Sequence, residues 1–272
     1  MSPSLRVLLA SLAVAFAGST VRADDRPYVF LIDPDGPREQ EVELVTALNV
    51  GASASGAIRF IDPTLGQQGV VQQLGVQAGL TPWVAIGAFG LLGLGYSEDN
   101  PVDATGGGYV SFTVARPGGV RARYRDDEVR PRDGGSFGVT FWGVREFEGT
   151  FALSGFLNGS WVAGRFSAAT NVQLERRLAS GADPLDVIVR LAANVDVLHR
   201  HDALRVGVEY VGQDLEDAIE GEEAEGGAVH LVALSGTYVS ADQRLSLGLA
   251  PGLVVAPSGL GFGGRFTASY RF

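Results

Sequence analysis

Three features of the sequence predict an all-β fold: an antiparallel transmembrane β-barrel of about twelve strands, with ten as the nearest rival. Apolar and polar residues alternate for about ten residues or more at a time, longer than the five or six usual in a soluble strand. Aromatic residues gather near the ends of these runs, at Trp83, Tyr96, Tyr124, Trp161, Tyr210, Tyr238, Tyr270 and Phe272, as interfacial girdles require. The faces opposite the apolar ones carry arginines, which a soluble β-sandwich would have to turn to solvent. The sandwich is the competing reading of alternation alone, and these features weigh against it.

The amino terminus reads as a secretory signal peptide over residues 1–23. Arg6 precedes an apolar run from Val7 to Ala17, and Val21 and Ala23 take the −3 and −1 places before Asp24. The run is about half the length needed to span a bilayer, which disfavours an uncleaved anchor. Residues 24–39 are then expected to form a short periplasmic segment and residues 40–272 the barrel. An exported chain with no cysteine has no disulfide framework. Its net charge of −10 is a poor match for nucleic acid, where phosphate neutralisation supplies much of the affinity. With 38 glycines and 46% hydrophobic residues, the composition suits strands and tight turns.

The strands follow from period-two patterning. Residues 41–53 set Val42, Leu44, Leu48 and Val50 against Glu41, Glu43 and Asn49. A second strand covers 70–80, and after the corner "TPW" a third begins at Trp83. The uncharged stretch 83–96 is too short and glycine-rich for a membrane helix. The segment "SEDNPVDATGG" reads as a loop, followed by a long extended stretch over 109–125. Further strands are expected at 136–144, 150–157 and 161–174. The clearest alternation, over 186–198, opposes Val187, Val189, Leu191 and Val195 to Asp186, Arg190, Asn194 and Asp196. Strands at 204–213, 229–239, 244–253 and 260–272 complete the set.

Short links such as "TPW", "HRHD" and "SADQ" fall on one side of an even-stranded barrel and the acidic loop "GQDLEDAIEGEEAEGG" on the other, matching the short and long connections of outer-membrane barrels. The chain closes on "ASYRF", with Tyr270 and Phe272 on the apolar face. This ending resembles the carboxyl-terminal signal of Gram-negative outer-membrane β-barrel proteins. The resemblance implies an outer-membrane location, contact with outer-membrane lipids and lipopolysaccharide, and recognition of Tyr270 and Phe272 by the barrel assembly machinery.

Several constellations invite chemistry. "HRHDA" places His199 and His201 two apart, but solvated turn residues explain it better than a metal site, which needs about four ligands. His230 with Ser235 or Ser240 nearby in sequence suggests a lipid-modifying enzyme, though nothing in the sequence fixes a His–Ser contact. The glycine strings lack the strand–loop–helix context of a phosphate loop. No cofactor, metal or catalytic residue is expected. The inward set is more informative: Arg121, Arg123, Arg165, Arg190, Arg205 and Arg265 are expected to face the lumen, with Glu209 among the counter-charges. Arg190, Arg205 and Glu209 lie on neighbouring strands and are expected to meet inside. The expected function is a passive small-solute channel or transporter. A non-conducting structural or interaction barrel is the alternative, and a lipid-modifying enzyme stands third.

Overall fold

The computed structural model describes residues 29–32, 40–53, 69–94, 102–115, 134–145, 147, 149–178, 185–199, 203–213, 215, 228–240, 244–256 and 259–272. Twelve strands run in chain order: β1 (Val42–Ser53), β2 (Gly69–Thr81), β3 (Val84–Leu94), β4 (Val102–Ala115), β5 (Gly134–Arg145), β6 (Phe151–Ala163), β7 (Phe166–Arg177), β8 (Asp186–His199), β9 (Ala203–Gln213), β10 (Val229–Val239), β11 (Leu245–Ala256) and β12 (Gly259–Arg271). Each pairs antiparallel with its sequence neighbours, and β1 pairs with β12 to close the barrel. Closure leaves no strand edge unpaired, which lipid would otherwise penalise. The seam is in register from Glu43 opposite Arg271 to Ser53 opposite Gly261, and the Phe272 N–H donates to the Val42 carbonyl at 3.1 Å.

Burial alternates with period two along the strands and an apolar side faces out; β3, which has no polar side chain, is apolar on both faces. Leu74, Phe141, Leu157, Leu191, Leu234, Leu249 and Phe266 are all exposed large hydrophobics, while their chain neighbours of opposite parity point inward and are buried or half-buried. A continuous apolar jacket of this kind is stable against acyl chains and not against water. At the end of the barrel holding the carboxyl terminus, Trp83, Trp161, Phe166, Tyr238 and Tyr270 lie on the outward parity, forming an aromatic belt. No helix among the described residues is long and apolar enough to cross a membrane; the crossing is made by strands.

Most strand boundaries fall within about three residues of the sequence expectation, and two differ more. The stretch taken as a loop before Tyr109 is already strand, since β4 starts at Val102. Its triple glycine, Gly106–Gly108, was the misleading signal. At Gly107 the glycine is required by close approach: a Cβ there would sit 2.4 Å from the Gly143 carbonyl oxygen on β5. The far part of the expected stretch, 116–125, lies outside the described residues. The second difference is the β6–β7 hairpin. "NGS" at 158–160 is a turn signal in isolation, but it lies within β6, and the chain turns at Gly164–Arg165, where Gly164 takes φ +58°. Asn158 is retained in the strand because its buried side chain donates to Thr140 Oγ1 at 2.9 Å.

The periplasmic placement of residues 24–39 does not hold for residues 29–32. Val29, Phe30 and Leu31 are buried in the same apolar cluster as Trp142, Phe156, Ile188 and Leu231, all on the inner face of the wall. The segment lies inside the barrel.

Candidate functional site in the lumen

The interior is lined by side chains from every strand, and most of its charged and amide groups can be traced to partners. Asp196 on β8 sits directly opposite Arg205 on β9, and the two form a buried ion pair. Arg190 donates from Nη2 to Gln173 Oε1 at 2.7 Å, and its guanidinium lies 5.7 Å from the Phe156 ring centroid, within cation–π range. Gln173 in turn reaches Ser154 and Glu175. Arg265 donates to Gln73 at 3.3 Å. Near the carboxyl-terminal end, Arg271 lies 3.3 Å from Glu41 and 3.6 Å from Glu43; Gln77 donates to Glu43, and Tyr109 to Gln77. Charges removed from water need such partners, because an unpaired one costs several kcal/mol, on the order of 3–5 when a partner is lost.

Glu209 plays a different part. Its Oε1 accepts the Val29 N–H at 2.8 Å, and its Oε2 accepts the Phe30 N–H at 2.7 Å. Two successive main-chain donors thus share one carboxylate, with Ser235 and Arg265 also acting on it. On β7, Asn171 completes the clamp: its Oδ1 accepts the Ile32 N–H at 2.7 Å, and its Nδ2 donates to the Ile32 carbonyl at 2.9 Å. The segment is therefore fastened to the inner wall on both sides of β8, at β9 and at β7. Hydrogen bonds of this kind contribute about 0.5–1.5 kcal/mol each, so the clamp is a specific local attachment. Around it, Trp142 packs on Phe89, Tyr109 and Phe156 with centroids 5.2–5.5 Å apart.

The residues expected in the lumen divide into three groups. Arg190, Arg205, Glu209 and Arg265 are buried on the inward parity. Arg121 and Arg123 lie outside the described residues. Arg165 does not face the lumen: it is exposed in the β6–β7 turn, where its carbonyl accepts the Asp196 N–H at 2.9 Å. Arg190, Arg205 and Glu209 share the inner face of β8 and β9, with Arg190 one diagonal step from Glu209. Arg205 is taken by Asp196, Arg190 by Gln173, and Glu209 holds the inserted segment. The sequence reading passed over Asn171, Gln173 and Asn158, whose alternation with apolar neighbours marks them as inward. It also passed over "VFLI" at 29–32, an unbroken apolar run without the alternation of a wall strand.

Other candidates sit elsewhere. His230 is on the outward parity of β10, and its Nδ1 lies 2.8 Å from the Tyr210 hydroxyl; Ser235, on the inward parity of the same strand, is buried on the opposite face. His201, Asp202 and the acidic residues 216–225 lie outside the described residues, and no group of three potential metal ligands occurs among those described. Tyr270 and Phe272 pack edge to face at 5.2 Å on the outer surface.

No protein-family model and no curated protein matches the chain. Among solved structures it is similar to a bacterial polysaccharide outer membrane secretin, at 10% identity and TM-score 0.45, covering 85% of this chain and 98% of that one. It is also similar to a loop-deletion mutant of the outer membrane protein OmpT of Vibrio cholerae (12% identity, TM-score 0.37, 85% and 98% covered). Salmonella typhi OmpF is a third (8% identity, TM-score 0.36, 85% and 96% covered). The closed antiparallel wall, whose strands turn an apolar jacket outward, makes the chain a membrane-spanning β-barrel.

Proposed function

We propose that the protein is a passive channel for small solutes, held closed by residues 29–32. The observation that carries this reading is the composition of the lumen. Buried ion pairs and amide ladders are no more stable than apolar packing of the same volume, so a purely structural barrel has little use for Arg190, Arg205, Arg265 and Glu209 inside it. A solute path does: ordered polar groups receive the hydrogen-bonding surface of a passing molecule and set its charge preference. The obstruction belongs to a segment outside the wall, held by side-chain hydrogen bonds and apolar burial and by no strand pairing, so it can leave without breaking a strand pair.

The test is conductance in planar bilayers. Proline at both 29 and 30 removes the two N–H donors and leaves the wall intact. The native chain is expected to be mostly silent and the V29P/F30P variant to conduct steadily. Silence of both would favour the second reading, a non-conducting structural barrel, for which the apolar cluster of Phe89, Trp142, Phe156 and Ile188 is the supporting observation.

A further inference from the structure

The clamp on residues 29–32 reads main chain and nothing else. Glu209 binds two consecutive N–H groups, and Asn171 binds both the N–H and the carbonyl of Ile32. The Asn171 amide therefore imitates the paired donor and acceptor that a neighbouring strand would present. Neither contact depends on the side chains of the segment. Selectivity for those comes from the surroundings, which are apolar: Val29, Phe30 and Leu31 are buried against the inner wall, and Gly248 opens room beside Val29, where a Cβ would come within 3.0 Å of Val29 Cγ2. A carboxyl group in such surroundings needs fixed donors, and the bent main chain at residues 29–31 supplies two of them without carrying charge.

We infer that Glu209 and Asn171 form a receptor for the main chain of short apolar peptides, of which residues 29–32 are the built-in occupant. A tethered occupant competes at high effective concentration, so a peptide in solution enters when the segment has been displaced. Short peptides with apolar side chains are then the solute class of the proposed channel; passage rests on the channel reading, whereas binding does not.

The experiment separates the two. The probe is a synthetic peptide with the sequence of residues 28–32, acetylated, amidated and fluorescently labelled, titrated onto refolded full-length protein in detergent and followed by anisotropy. The control carries N-methyl groups at the two amides matching Val29 and Phe30. Saturable binding to the V29P/F30P chain is expected, at least about ten-fold tighter than to the native chain. It should weaken about ten-fold or more with the N-methylated peptide, or when Glu209→Gln is added. Heat-modifiable migration checks that each variant is folded; if the double proline is not, Leu31→Asp displaces the segment with the wall untouched. Equal binding of the parent and methylated peptides, or no binding to a folded, displaced variant, overturns the inference. Binding without conductance in either chain would retire the channel and keep the receptor; conductance without binding would do the reverse.

Discussion

An arginine placed at two depths on one outward face should distinguish lipid from water as the barrel's surroundings. Leu191 and Val197 both project outward from β8 and are about half exposed, at 46% and 48%. The strand has 14 residues. Leu191 is about 1.5 positions from its centre and Val197 about 4.5. With a rise of about 3.3 Å per residue and a tilt of about 40°, these become depths of about 4 Å and 11 Å from the midplane. The apolar band is about 25 Å tall, so Leu191 lies well inside it and Val197 near its edge. Arginine costs about 2–4 kcal/mol at the midplane and about 0–1 near the interface. Leu191→Arg should therefore destabilise by about 3 kcal/mol, roughly a hundred-fold in the folding equilibrium, and Val197→Arg by less than about 1. Reversible urea unfolding in lipid vesicles, followed by tryptophan fluorescence, measures both. If both changes are neutral, the outer face does not contact acyl chains, and the membrane reading fails.

Asp196→Ala should leave Arg205 buried without its carboxylate and cost about 3–5 kcal/mol; adding Arg205→Met should recover most of that loss in the same unfolding assay. Gly107→Val would drive a side chain into the Gly143 carbonyl, so a loss of several kcal/mol and slower folding into vesicles are expected. Gly164→Val places a β-branched residue at φ +58° and should cost about 1–2 kcal/mol, whereas Gly159→Ala, inside β6 and facing out, should be nearly neutral. The reverse order would return the turn to "NGS".

Most of the wall was legible because membrane barrels repeat one simple rule. In β8, β9 and β12, each lipid-facing position is apolar or small and nearly every charge points inward, so parity alone assigns Arg190, Arg205 and Arg265. The rule weakened where glycine replaced side chains, as at Gly106–Gly108, because a residue without a side chain carries no parity signal. It failed at Arg165, where a charge at the end of an alternating run looked inward although the chain had already turned. Partner choice inside the lumen was not legible. Asp196 and Arg205 face each other because the β8–β9 turn sets that register, and the link length alone does not reveal a bulge between Asp196 and Leu198. The inserted segment was the largest omission, since its contacts with Glu209 and Asn171 span about 180 and 140 residues of sequence and no local pattern encodes them.

The account turns on residues 29–32 being held inside the lumen by Glu209, and the absence of cysteine in the chain allows a direct measurement. A Leu31→Cys variant in lipid vesicles is exposed to a bulky, water-soluble thiol reagent, and the labelling rate is compared with that of the same variant carrying Glu209→Ala. Slow labelling with Glu209 in place and labelling at least about ten-fold faster without it is the expected result. Rapid labelling of both, at the rate of an unfolded control, would contradict the account.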